Sequence, residues 1–165
     1  MKKLYKIFPD VHVMHSNHGS LHERKARSGS IPRAFIKSYK DAFEALSGWH
    51  WHPSFKADLP NGQQVMFAHG MGANAYNSAM DLGISFVQGH HHSRLEAVQK
   101  FSPFNGKNIF GMTVGCLIDD TAYSFRYNKT TASRPKIGCG LILNGAPVPV
   151  PMLLNRNGRW TKKLI

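Results

Sequence analysis

The stretch QQVMFAHGMGANAYNSAMDLGISFVQGHHH, residues 63–92, decides the fold class. Residues 63–68 read as a strand, and the Pro60-Asn61-Gly62 turn before it joins it to residues 55–59 as a hairpin. Behind the glycine-rich His69-Gly70-Met71-Gly72, the residues Ala75, Tyr76, Ala79, Met80 and Leu82 recur at helical spacing, and Gly83 supplies the stop. Residues 84–87 then form a short apolar run that ends at Gly89-His90-His91-His92. Strand, helix and strand in succession predict an α/β fold.

Working outward, residues 11–14 (Val-His-Val-Met) read as a further short strand, followed by a polar stretch over residues 15–30. Ser30 as a cap and Pro32 in the first turn signal a helix, with a stripe of Ile31, Phe35, Tyr39, Ala42, Phe43 and Leu46 expected in the core and Gly48 at its end. Downstream, residues 95–101, 108–117, 137–143 and 148–153 are apolar or alternating runs, the last two joined by Asn144-Gly145, so the C-terminal part is expected to be β-rich. No internal repeat is present, and a chain of 165 residues is expected to form one domain over residues 1–165.

Twenty-one Lys and Arg against nine Asp and Glu give a formal charge of +12, which favours an anionic partner and leaves few carboxylates for a hard-metal site. No apolar run reaches a membrane-spanning length, and the start lacks a signal-peptide core, so a cytoplasmic protein with no membrane partner is expected. Cys116 and Cys139 lie in apolar stretches and read as two buried thiols rather than a disulfide framework.

Chemistry-bearing side chains fall at three junctions that follow strands: Asn17-His18, His69, and His90 with His92. In an open α/β sheet the binding crevice lies beyond the carboxyl ends of the strands, so these groups converge if the strands are parallel neighbours. In an extended stretch His90 and His92 point to one side and His91 to the other. Neutral imidazole and amide oxygen suit borderline divalent metals.

In order and in type, Ser16-Asn17-His18-Gly19, Ala68-His69-Gly70 and Gly89-His90-His91-His92 resemble the third, fourth and fifth motifs of the calcineurin-like metallophosphoesterases. Residues 111–120 and 134–140 are similar to uncharacterised phosphoesterases of tailed bacteriophages. The resemblance implies the carboxyl-terminal half of an αββα-type sandwich. It implies that Asn17, His69 and His90 hold one metal ion, that His92 belongs to a neighbouring ion, and that His18 contacts phosphate and acts as general acid. Divalent ions are the implied cofactors, manganese first, with iron, nickel or zinc as alternatives. The implied reaction is hydrolysis of a phosphomonoester or phosphodiester by metal-activated water, and the charge favours nucleic acid or a nucleotide as substrate.

The family's first two motifs, Asp-x-His and Gly-Asp, should precede Asn17, and they carry the carboxylates. Asp10-Val11-His12 imitates the first in letters only, because its strand leads directly into Asn17. The domain is therefore expected to be incomplete, with a second polypeptide or self-association supplying the missing ligands; if phage-encoded, it would work in the host cytoplasm. The alternative is a non-catalytic remnant that binds nucleic acid or a host protein. A structural zinc site of Asn17, His69, His90 and His92 is a third reading, disfavoured because structural zinc usually takes cysteines. Arg24, Lys25 and Arg27 follow the Asn-His loop and are candidates to steer a phosphoester. Trp49-His50-Trp51-His52 reads as strand packing ahead of base stacking, and Asp119 and Asp120 as turn residues outside the site.

Overall fold

The computed structural model describes residues 2–17, 19–101, 106, 108–118 and 134–163. The chain divides into two compact units, residues 1–55 and 56–165. His18, Asp119 and Asp120 lie outside the described residues. Taken together, the elements are mixed α/β with few helices and a β-rich second part, in line with the coarse class expected from sequence. Among the described residues no helix is long and apolar enough to cross a membrane.

In the first unit, α1 (Lys2–Ile7), β1 (Val11–Met14), α2 (Leu21–Ser28), a 3-10 turn (Arg33–Phe35), α3 (Tyr39–Ala42) and β2 (Trp49–His52) follow one another. Strands β1 and β2 pair in parallel, with Val11 opposite Trp49, His12 opposite His50 and Met14 opposite His52. Since side chains alternate along a strand, the three histidines share one face and the two tryptophans lie on the other. Trp49 is buried, its indole N–H donates to the Phe8 carbonyl at 2.8 Å, and Tyr5 meets its ring edge-on at 4.9 Å. The Tyr5 hydroxyl donates to the Phe43 carbonyl, tying α1 to the chain that enters β2.

The long helix expected over residues 30–48 does not form. Ser30 adopts φ 55°, the reverse of an N-cap's extended backbone, while Pro32 (ψ 139°) and Ile36 (ψ 120°) are extended. Only the 3-10 turn at Arg33–Phe35 and one α-helical turn, α3, form there, the latter capped by the Ser38 hydroxyl, which accepts from the Asp41 N–H. The stripe is consequently not core: Phe35 is 80% exposed and Leu46 50%. The helix that does form, α2, lies in the stretch that reads as polar, and its one buried residue is Ala26.

The second unit is built on a five-stranded sheet in the order β3-β4-β5-β7-β6, from β3 (Ser54–Asp58), β4 (Gln64–Ala68), β5 (Ser85–Gln88), β6 (Leu95–Phe101) and β7 (Asn108–Val114). β4, β5 and β7 are parallel, and β6 is antiparallel to β7. The Asn61-Gly62 turn is present, with Gly62 at φ 79°. Helix α4 (Ala75–Leu82) links β4 to β5, capped by the Asn74 side chain and ended by Gly83 at φ 68°. The hairpin of β8 (Gly138–Leu143) and β9 (Ala146–Pro151) turns at Asn144-Gly145 and packs on β6 and β7.

Alternation sorts the sheet's side chains into two cores. Val65, Val87, Phe110 and Met112 are buried on one face with Ile142 of the hairpin; Ala68 and Phe86 are buried on the other against Ala75 and Ala79 of α4. The two thiols do not follow expectation: Cys116 is half-buried and Cys139 exposed, Cys139 alternating along β8 with Ile142 and Gly140, which face the sheet.

The helix lies so close to the sheet because position 111 has no side chain. A Cβ there would stand 2.1 Å from the Tyr76 nitrogen and 2.3 Å from the Ala75 carbonyl carbon. Gly111→Ala is therefore expected to destabilise the protein by about 3 kcal/mol, the upper end of an ordinary overpacking penalty. Denaturant unfolding measures it, and an unchanged midpoint would contradict the close approach.

Candidate metal site at the ends of the parallel strands

The parallel pairing of β4 and β5 sets Ala68 opposite Gln88. His69 follows directly on β4, and His90 lies two residues beyond β5. Nδ1 of His90 stands 3.1 Å from Nε2 of His69, with the rings edge-to-face at 5.0 Å. When one of these nitrogens carries a proton, the contact is a hydrogen bond. Two nitrogens this close fit one ion, since each needs to lie only about 2.1 Å from it.

Small residues make the approach possible. A Cβ on Gly70 would meet the His90 side chain at 3.0 Å. His90 itself has φ 65°, and the His91 N–H donates to the Gly89 carbonyl at 2.7 Å, closing a three-residue turn around it. A non-glycine residue in this region is strained, and such strain concentrates at functional sites. The stretch is therefore not extended, so the expected alternation of His90 and His92 to one side does not apply. His91 instead reaches the Gly72 carbonyl through Nε2 at 3.0 Å, and Arg94 donates to the Ala73 carbonyl. The loop after β5 thus braces the loop between β4 and α4.

His92 is held by its backbone, where its carbonyl accepts from the Lys136 N–H at 2.7 Å. Asn17 lies in the first unit, on the loop after β1, and β1 belongs to a different sheet from β4 and β5. Its carbonyl accepts from Arg24 Nη2 at 2.6 Å and from the Ser20 hydroxyl at 3.3 Å. Arg24 is thus occupied in holding the loop, Lys25 is exposed on α2, and Arg27 lines a cavity of the same unit. The sequence-derived ligands brought together are His69 and His90. Among the described residues no group of three or more His, Cys, Asp or Glu is arranged to hold a metal ion.

A second histidine cluster was not anticipated. His12 Nδ1 stands 2.9 Å from His52 Nε2, His50 stacks beside His12 at 5.5 Å, and Asp10 lies 4.0 Å from His50. The signal was present as His12 and as the alternating His50 and His52, but it emerges only when β1 and β2 pair in this register. The phenyl ring of Phe55 covers His12 at 3.8 Å. Desolvation, and then the positive charges of His12, His50 and His15, lower the His52 pKa from its ordinary 6.5.

No protein-family model, no curated protein and no solved structure matches the chain.

The lowered His52 pKa has a definite sign in stability. The folded state binds protons at His52 less readily than the unfolded state, so its contribution is intact above pH 6.5 and is lost as pH falls through that value toward the lower folded one. Thermal unfolding of the wild type is expected to lose midpoint on going from about pH 7.5 to about pH 5.5, and His52→Gln to lose less. Equal losses in the two proteins would contradict the assignment.

Proposed function

We propose that the chain is a metal-dependent phosphoesterase of the metallophosphoesterase type, with His69 and His90 as ligands to one divalent ion. The observation that carries this is the pair of ring nitrogens 3.1 Å apart beyond the carboxyl ends of adjacent parallel strands, one of them on a strained backbone. The position is where open α/β sheets bind ligands. A divalent ion, manganese by preference, would polarise a phosphoryl oxygen and lower the pKa of a water.

The role of this chain's residues is positional. Gly70 admits the His90 side chain, the turn at His90 aims one ring at the other, and His91 and Arg94 fix the flanking loop. The pair fits one ion. No carboxylate joins it among the described residues, so the bridging ligand of a two-ion site is assigned to a second polypeptide or a second copy. The charge of +12 supports a polyanionic substrate such as nucleic acid or a nucleotide. A non-catalytic role in holding nucleic acid is the second reading, favoured by the absence of a third ligand among the described residues.

Manganese-dependent hydrolysis of bis(p-nitrophenyl) phosphate tests the proposal. Both His69→Ala and His90→Ala are expected to lower the rate by at least about 100-fold, because loss of a direct ligand exceeds the effect of losing its supporting partner. Folded wild-type protein that is no faster than the two variants would contradict catalysis by this chain alone or by its own oligomer, and leave a complementing polypeptide or the binding role.

A further inference from the structure

The first unit contains a cavity of about 530 Å³ lined by Arg27, Arg33, Lys37 and Lys40 together with the rings of Tyr39 and Trp51. Its volume lies within the range of about 300–1,000 Å³ typical of small-molecule sites. The four cations are exposed, and Glu23 is the one carboxylate among the lining residues. Among the described residues the ion pairs are Lys2 with Glu44 and His50 with Asp10, so none of the four is neutralised by a carboxylate. A cavity with four unpaired cations and one acid carries a net positive charge that favours an anion.

The aromatic side has its own geometry. Tyr39 and Trp51 are nearly parallel, 6° between planes and 6.2 Å between centroids, and Phe43 stacks on Tyr39 at the same distance. Trp51 is half-buried and lines the cavity, so its ring is within reach of a planar group, while the Tyr39 ring is packed on Phe43, Trp51, His15 and His22. The Tyr39 hydroxyl is buried with no hydrogen-bond partner among the described residues. Burial, and then the charge of Glu23, raise its pKa above the ordinary phenol value, so it remains a donor at neutral pH. Cations alone would suit any anion; cations beside stacked aromatic rings and an unused phenolic donor select an anion that carries a flat, hydrogen-bonding ring.

We propose that this cavity binds a nucleotide, its phosphate against Arg27, Arg33, Lys37 and Lys40 and its base against Trp51 and the Tyr39 hydroxyl. The ligand is either a free nucleotide or one unit of a single strand. The proposal goes beyond the phosphoesterase reading and does not rest on it, because none of these residues is assigned to the metal chemistry.

The test is fluorescence anisotropy of a labelled thymidine oligonucleotide of about twelve residues, with the full chain in excess chelator so that hydrolysis plays no part. Unlabelled thymidine oligonucleotide, thymidine monophosphate, duplex DNA and inorganic phosphate serve as competitors. Removing two phosphate contacts with R33Q/K37Q is expected to weaken binding about ten-fold or more and to reduce the salt slope by about 1.4. Trp51→Leu is expected to cost about ten-fold through lost stacking. K162Q/K163Q removes the same charge from a segment outside this cavity and is expected to change affinity less than about two-fold. Should Trp51→Leu fail to fold by circular dichroism, the charge pairs decide. Competition by the monophosphate identifies a free nucleotide, and competition by the oligonucleotide alone identifies a strand; either supports the cavity. Equal weakening by the two charge pairs, or displacement by duplex or inorganic phosphate as readily as by nucleotide, would overturn it.

Discussion

The parallel pairing of β4 with β5 is the constraint on which the second unit depends. A register slip of one residue would carry Val65 and Phe67 out of one core, and Met66 and Ala68 out of the other. The pairing is therefore held by burial on both faces, as parallel strands require. With register fixed, the ends of the two strands are fixed too, and His69 and His90 fall within 3.1 Å of each other. Helix α4 spans the crossover on a defined path, started by Asn74, stopped by Gly83 and seated on Gly111. The histidine pair is a consequence of hydrophobic burial several residues away from it.

Much of this half was legible in the sequence. The Asn61-Gly62 turn, the helix from Ala75 to its stop at Gly83, the strand before Gly89 and the hairpin at Asn144-Gly145 each carry a local signal strong enough to survive tertiary context. The meeting of His69 and His90 was also foreseeable, because it follows from strand order and the rule that crevices lie beyond carboxyl ends. The turn at His90 was not. Nothing in a run of three histidines distinguishes an extended backbone from one with φ 65°, and the difference decides which ring faces which.

The first unit is less legible in its sequence, for a physical reason. Its apolar residues at helical spacing, from Ile31 to Leu46, invite a long helix, but the backbone at Ser30, Pro32 and Ile36 breaks it, and the stripe remains largely exposed. Stability there comes instead from Tyr5, Trp49 and their hydrogen bonds to backbone carbonyls, contacts between residues some forty positions apart that no local pattern reports. The histidine cluster of His12, His50 and His52 and the basic, aromatic cavity have the same origin: both are products of the β1 and β2 pairing and the short turns around it. In both units, then, the chemistry-bearing side chains are brought together by strand register, and they are legible where the strands carry strong apolar signals.

The central claim, that strand register turns His69 and His90 into a chelating pair, is tested most directly by titrating the apoprotein with cobalt(II) and following the visible ligand-field bands. The account predicts bands that saturate at one equivalent and disappear in both His69→Ala and His90→Ala. Bands that persist unchanged in those two variants would contradict it, because the metal would then be held by other residues.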